Sequence, residues 1–299
     1  MKAVTYLGII GLALSLGGCE KLESPLDSEQ YLKSVYLVGA NQSSNEGMQV
    51  VNLPYKSGAG DTAATYISVA TGGSLVIDRD LTAQVQEAGG ESVKQYNSMY
   101  LYKPTDIKYS LLNSASYAIP DFTVPLKRGA TYGRLPIAIK TAGLHPDSLY
   151  ALTFKIGSVS DPDYIAIRKT DSVLLFSFRL YNAYSGTYQA TGRFYTFNNA
   201  AVRDTASLSL GRTMKAINHN TVRFFHLATT ESMANVAAGG VTATVNADNS
   251  LTVSPWGSLV LSASGGTYDG ATATFTIWYN YQEGSVTKQF KGQFTKSGI

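Results

Sequence analysis

The chain has 299 residues, of which 44% are hydrophobic and 15% charged, and 24 Lys plus Arg against 21 Asp plus Glu leave a formal charge of +3. Ordinary domains carry about 25% charged residues, and this near-balance, without a basic run, lacks the electrostatic footprint of a nucleic-acid binder. A single cysteine excludes an intramolecular disulfide framework and a thiolate zinc site, and His145, His219 and His226 are too few for a multi-histidine metal centre.

Lys2 opens the chain with one positive charge, and Ala3 to Gly18 is an uncharged, largely apolar stretch that ends at Cys19. Its hydrophobic centre, Leu7 to Leu16, is short for a membrane span and fits a signal segment. Leu16-Gly17-Gly18-Cys19 resembles the bacterial lipobox, in which small residues let a peptidase reach the bond before a lipidated cysteine. The expectation is a signal peptide over 1–18, a lipid on Cys19, a tether over 19–30 and a body held on the outer membrane by acyl chains. Glu20-Lys21-Leu22-Glu23 loosely resembles the acidic signal that directs Bacteroidetes lipoproteins to the outer face, so the exterior is the expected side.

Period-two alternation then recurs along the body, the pattern of half-buried strands. Tyr66-Ser68-Ala70 and Thr65-Ile67-Val69 are two faces of one run, and Val173 to Tyr181 is another. Two short helices are expected, over Asp80–Ala88 before Gly89-Gly90 and over Ser92–Asn97. Ala183-Tyr184-Ser185-Gly186 reads as a turn between two domains, 31–182 and 183–299. Beyond it Val241, Ala243 and Val245 alternate up to the turn Asn246-Ala247-Asp248-Asn249, and Leu251 and Val253 resume. Phe275, Ile277, Tyr279 and Tyr281 form one row, and Phe290 and Phe294 close the chain. Short strands separated by Gly, Asn and Ser turns predict an all-β protein of sandwiches or barrels.

Catalytic patterns are missing. No acidic array of the chitinase type, no Gly-x-Ser-x-Gly, no His-Glu-x-x-His and no phosphate-binding glycine loop occurs. Asp161-Pro162-Asp163 and Asp248-Asn249 are read as Asx turns, since calcium wants six to eight oxygens. No cofactor or metal is expected. Trp256 and Trp278 stand out as the only tryptophans, each falling in the row opposite the apolar one. A solvent-facing indole among hydroxyls and amides suits the C–H face of a pyranose, so both are candidate glycan contacts; burial of the second row is the competing reading. Tyr181, Tyr184, Tyr188 and Tyr195 are weaker candidates, expected to pack.

Several segments carry a family resemblance. Tyr109-Ser110-Leu111-Leu112, Ser116-Tyr117-Ala118-Ile119, Lys127-Arg128-Gly129-Ala130 and Leu144-His145-Pro146-Asp147-Ser148-Leu149-Tyr150 resemble the N-terminal domain of unknown function of Bacteroidetes surface lipoproteins encoded near glycan-import systems. The same domain precedes the catalytic barrel of some chitinase-like endoglycosidases. Tyr184-Ser185-Gly186-Thr187-Tyr188, Gly266-Thr267-Tyr268-Asp269 and Phe275 to Tyr281 resemble its usual C-terminal partner. The resemblance implies an immunoglobulin-like β-sandwich followed by an antiparallel barrel or sandwich, lipocalin-like in one version. It also implies a non-catalytic lipoprotein that binds oligo- or polysaccharide within a polysaccharide-utilisation system, beside a transporter or glycosidase. The alternative is a structural or adhesion lipoprotein that docks a transporter, a glycosidase or a host surface.

Overall fold

The computed structural model describes residues 28–40, 48–56, 62–166, 173–198, 201–226 and 228–297. Residues 1–27, with the expected signal segment, Cys19 and most of the tether, lie outside the described residues. No helix among the described residues is long and apolar enough to cross a membrane.

In chain order the first part runs β1 (Ser34–Leu37), β2 (Met48–Pro54), β3 (Thr62–Gly72), β4 (Leu81–Glu87), helix α1 (Glu91–Tyr100), β5 (Tyr109–Leu111), β6 (Tyr117–Ala118), β7 (Thr123–Leu126), β8 (Tyr132–Lys140), β9 (Leu149–Val159), β10 (Ile165–Ala166) and β11 (Val173–Tyr181). These strands make two sheets, β10-β1-β3-β8-β6 and β2-β11-β9-β4-β7, with β5 added beside β9. Most pairings are antiparallel; β1 with β10, β2 with β11 and β5 with β9 run parallel. The core between the sheets holds one row from each strand, Val35 and Leu37 from β1, Ile67 and Val69 from β3, Leu135, Ile137 and Ile139 from β8, Phe154 from β9 and Phe176 from β11. Alternation therefore leaves the other row of β1, β3 and β8 on the outer face.

The segment expected as a helix over Asp80–Ala88 is strand β4 instead. Ala83, Gln84, Gln86 and Glu87 are tolerable helix formers, but Leu81, Ala83 and Val85 sit two apart and all are buried. Pairing with β7 and β9 satisfies the backbone and buries that row, which outweighs a weak local preference. The second expected helix forms and extends to Glu91–Tyr100, covering Met48, Val93, Ala151 and Leu175.

The second part runs β12 (Gly186–Asn198), β13 (Ala201–Ala216), β14 (Thr221–Phe225), short helix α2 (Val236–Gly239), β15 (Gly240–Val245), β16 (Leu251–Pro255), β17 (Leu261–Asp269), β18 (Thr274–Glu283) and β19 (Val286–Lys296). They form one eight-stranded antiparallel sheet, order β16-β15-β14-β13-β12-β19-β18-β17. First strand pairs with last, so the meander curls round and leaves its seam between β16 and β17. A bridge between Ser250 and Thr267 and a 2.7 Å bond from Ser264 Oγ to the Val253 carbonyl draw that seam together. Of the two architectures expected for this part, the nearly closed barrel is the one found. Tyr188, Phe224, Phe275, Tyr279, Phe290 and Phe294 fill its interior, so the barrel is a packed core in the manner of small barrels. Gly192 and Gly292 face each other across β12 and β19 because the Phe290 ring lies where either Cβ would stand, 2.5 and 2.4 Å away.

Candidate functional site

β3 is the central strand of the first sheet, and its outward row is Tyr66, Ser68 and Ala70. Register places Tyr36 of β1 and Tyr132 of β8 on either side of Ala70, and Arg134 of β8 beside Ser68. Strands lie about 4.8 Å apart, so the two tyrosine backbones stand roughly 10 Å from one another with only a methyl between them. Small residues on the floor and aromatics on the walls create a trough of about 490 Å³, lined also by Val38, Thr71 and Thr131. Tyr36, Tyr66 and Tyr132 remain 43%, 44% and 52% exposed. The Arg134 guanidinium packs 4.3 Å from the centre of the Tyr66 ring and 5.7 Å from that of Tyr132, which fixes both ring and cation.

Neither Tyr36 nor Tyr132 was a sequence candidate. The available signal was Tyr66-Ser68-Ala70 itself, an outward row made of one aromatic and two small residues. The partners that turn it into a trough come from strands distant in sequence.

Trp278 sits mid-strand in β18. Phe275, Ile277, Tyr279 and Tyr281 are buried, while Trp278 is half-exposed in the opposite row. Gly265 of β17 pairs with it, and three atoms of the indole stand 3.3 Å from where a Gly265 Cβ would be. The indole therefore lies over the β17 backbone and turns its other face outward. Lys291 pairs with it on the far side, followed by Arg193 of β12, and the next row carries Asn280 bonded to Gln289 at 2.7 Å.

Trp256 has different surroundings. It follows β16 at the end of the barrel, half-buried, 5.4 Å from the Arg223 guanidinium and 6.1 Å from the His145 ring. His145 belongs to the β8–β9 connection of the sandwich, so this indole sits where the two parts meet. The same connection supplies Asp147, which receives Arg223 Nη2 at 2.8 Å, Arg223 Nη1, and Lys215 Nζ at 2.8 Å. Arg223 and Asp147 side chains are each 1% exposed, and Arg223 Nε has no hydrogen-bond partner. Burial pushes the Asp147 carboxyl up, but the Arg223 and Lys215 contacts together outweigh it and hold it at about 2. The structure thus gives the two tryptophans separate neighbours instead of one shared surface.

Of the remaining candidates, Tyr181 does not pack as expected but is 45% exposed, and the Lys291 ammonium lies 5.9 Å from the centre of the Tyr195 ring. Asp161 Oδ1 accepts the Asp163 N–H at 3.0 Å and Asp248 Oδ1 accepts the Ser250 N–H at 3.0 Å, both Asx turns. No group of three or more His, Cys, Asp or Glu residues suited to a metal ion occurs among the described residues. His219 is exposed. His226 bonds the Tyr279 hydroxyl at 2.9 Å, and burial pushes its imidazole down to about 4. The Tyr188 hydroxyl donates to the Tyr184 carbonyl at 2.7 Å and the Tyr184 ring meets Tyr268 edge-on, so these two tyrosines pack at the barrel end.

Sandwich, packed eight-stranded barrel and outward aromatic trough define a two-domain all-β protein whose barrel interior is filled by aromatic and aliphatic side chains. A family model for an N-terminal domain matches residues 29–163, and a companion model for the C-terminal part matches residues 172–295. The chain belongs to this two-domain family. Similar solved structures span nearly the whole molecule. One is a Bacteroides ovatus protein of unknown function, 19% identical, with TM-score 0.65 over 88% of this chain and 94% of its own. Another, from the same species, is a multidomain protein that includes a domain of unknown function, 18% identical, TM-score 0.63, covering 89% and 94%. A third, from Bacteroides thetaiotaomicron, is described as an auxiliary nutrient binding protein, 15% identical, TM-score 0.60, covering 87% and 94%. At these identities the likeness is one of fold. No curated protein matches the chain.

Proposed function

We propose that the protein is a non-catalytic lipoprotein, anchored through Cys19 to the outer membrane and facing the exterior, that holds oligo- or polysaccharide for a polysaccharide-utilisation system. The observation that carries this reading is the trough on the sandwich: three exposed tyrosines and a stacked arginine around a floor of Ser68 and Ala70. A pyranose presents apolar C–H faces and equatorial hydroxyls. Aromatic walls take the faces, and the hydroxyls of Ser68, Thr71, Thr131 and the tyrosines take the rim. The similar structure described as an auxiliary nutrient binding protein supports a binding role. Trp278, with Lys291, Arg193, Asn280 and Gln289 around it, serves as a second contact for a long chain. Trp256 belongs to the domain junction and contributes to binding only through the orientation of the two parts.

Covering about 100 Å² of each of two aromatic walls at ~25 cal/mol/Å² yields roughly 5 kcal/mol before ordering costs, where a millimolar Kd needs about 4.1 kcal/mol. Single sites are therefore weak, and repeated copies on a membrane strengthen retention by avidity. The test is retention of the soluble body on immobilised polysaccharides, with Tyr36→Ala and Tyr132→Ala as variants. Each substitution should weaken retention about tenfold or more while leaving the circular dichroism unchanged. Unaltered retention in both variants would remove the trough from the reading, and no retention on a broad panel would favour the docking alternative. Lipidation is tested separately, by incorporation of labelled palmitate that Cys19→Ala abolishes.

A further inference from the structure

Resting on the saccharide reading of the trough, we infer that its ligand is an anionic saccharide, one bearing a carboxylate or a sulfate ester, and that Arg134 is the residue that selects it. Arg134 differs from three other arginines of the molecule in having no ion pair among the described residues. Arg79 meets Asp78 and Asp161, Arg212 meets Glu231, and Arg223 meets Asp147, each through an ion pair. Arg134 meets no carboxylate among the described residues; its neighbours are the faces of Tyr66 and Tyr132. None of the described residues that line the trough is acidic, and among them the only formal charge is this guanidinium. The cation is fixed without being neutralised.

The geometry suits recognition. Stacking of the guanidinium on a ring uses its flat face and leaves the in-plane N–H fork available. That fork matches two oxygens of one carboxylate or sulfate, and the side-chain order already present reduces the entropy lost on binding. A sugar seated between Tyr36 and Tyr132, over Ala70, has the Ser68 row as its neighbour, and Arg134 is in that row. A carboxylate on C5 or a sulfate on an adjacent hydroxyl reaches the fork while the ring remains against the aromatic walls. Neutral sugars offer only hydroxyls there, so a charge-assisted pair should favour the anionic ligand by roughly tenfold to a hundredfold.

The experiment compares biotinylated tetragalacturonate with its fully methyl-esterified form, and a sulfated galactan oligosaccharide with its desulfated form, by biolayer interferometry on the soluble body. Wild-type protein should prefer at least one anionic member over its neutral partner by tenfold or more, and which pair shows the preference separates carboxylate from sulfate. Arg134→Gln should erase the preference and Arg134→Lys should retain only part of it. Lys94→Gln, a surface charge change on α1, should leave the preference intact, which excludes a general attraction to polyanions. Equal binding of charged and neutral members, unaffected by Arg134→Gln but weakened by Tyr132→Ala, overturns the anionic assignment and leaves the saccharide reading standing. Absence of binding to all four probes and to a neutral glycan panel, with Tyr132→Ala indistinguishable from wild type, overturns both.

Discussion

Replacement of Asp147 by Asn should destabilise the whole molecule, because Asp147 is the sandwich's contribution to a charge cluster otherwise built by the barrel. Both Asp147 and Arg223 side chains are 1% exposed, and Lys215 reaches the same carboxylate at 2.8 Å. The amide keeps the shape but strands the guanidinium, whose Nε already lacks a partner. Breaking a buried pair from one side costs about 3–5 kcal/mol, since the surviving charge is neither solvated nor matched. Linkage gives a second figure. Depression of the carboxyl from 3.8 to about 2 corresponds to roughly 2.5 kcal/mol of pH-dependent stability. The folded value lies below the unfolded one. That stability is fully present above about pH 4 and is lost as pH falls through about 2. The assay is urea unfolding at neutral pH, followed by melting curves from about pH 5 to about pH 2. Fluorescence is a direct probe, because Trp256 stands 5.4 Å from Arg223 and only one other tryptophan exists. Asp147→Asn should lose about 3 kcal/mol at neutral pH, and its deficit should narrow on acidification below pH 4. A deficit under about 1 kcal/mol, or one that does not change with pH, would refute a buried, ionised carboxylate at this junction.

Three further outcomes follow from other sites. His226, held neutral down to about 4 by burial, should make stability fall between about pH 6.5 and about pH 4, because the unfolded chain takes the proton first; His226→Gln should flatten that part of a pH–melting profile. Gly192→Ala places a Cβ 2.5 Å from Phe290 and 2.7 Å from the Lys291 carbonyl, so a loss of about 1–3 kcal/mol by chemical denaturation is expected, with partial recovery in Gly192→Ala combined with Phe290→Leu. Trp256→Ala should cost about 2–3 kcal/mol and raise protease sensitivity at the junction, whereas Trp278→Ala should change melting little, as limited proteolysis and calorimetry can compare.

The periodic rows were readable because burial on one face of a sheet writes itself into a single strand. Phe275, Ile277, Tyr279 and Tyr281 alternate in sequence and are the buried row of β18, with Trp278 opposite. Leu81, Ala83 and Val85 carried the same signal, but spread through Gln and Glu it competed with helix propensity, and pairing with β7 and β9 decided the matter. The trough was not readable in this way. Tyr36, Tyr66 and Tyr132 come from three strands, and an isolated outward tyrosine is common on any protein surface. Only the register of β1, β3 and β8 sets two of them across one alanine.

The two tryptophans illustrate the same limit from the other side. Strand alternation assigns each to a row, and a row is outward only when no other layer covers it. For Trp278 the neighbouring strand offers Gly265, whose missing side chain leaves room for the indole over the β17 backbone. For Trp256 the layer arrives from about a hundred residues earlier in the chain, as the His145–Asp147 connection of the sandwich. That connection also accounts for Arg223, a charged side chain in the row of Phe225 that a strand pattern alone would turn towards solvent. Its burial requires a counter-charge, and the counter-charge is supplied by the other domain. A fully buried arginine in the middle of a short strand is thus the local sign of a partner layer. Here it marks the junction that holds the aromatic trough of the sandwich in a defined orientation to the barrel.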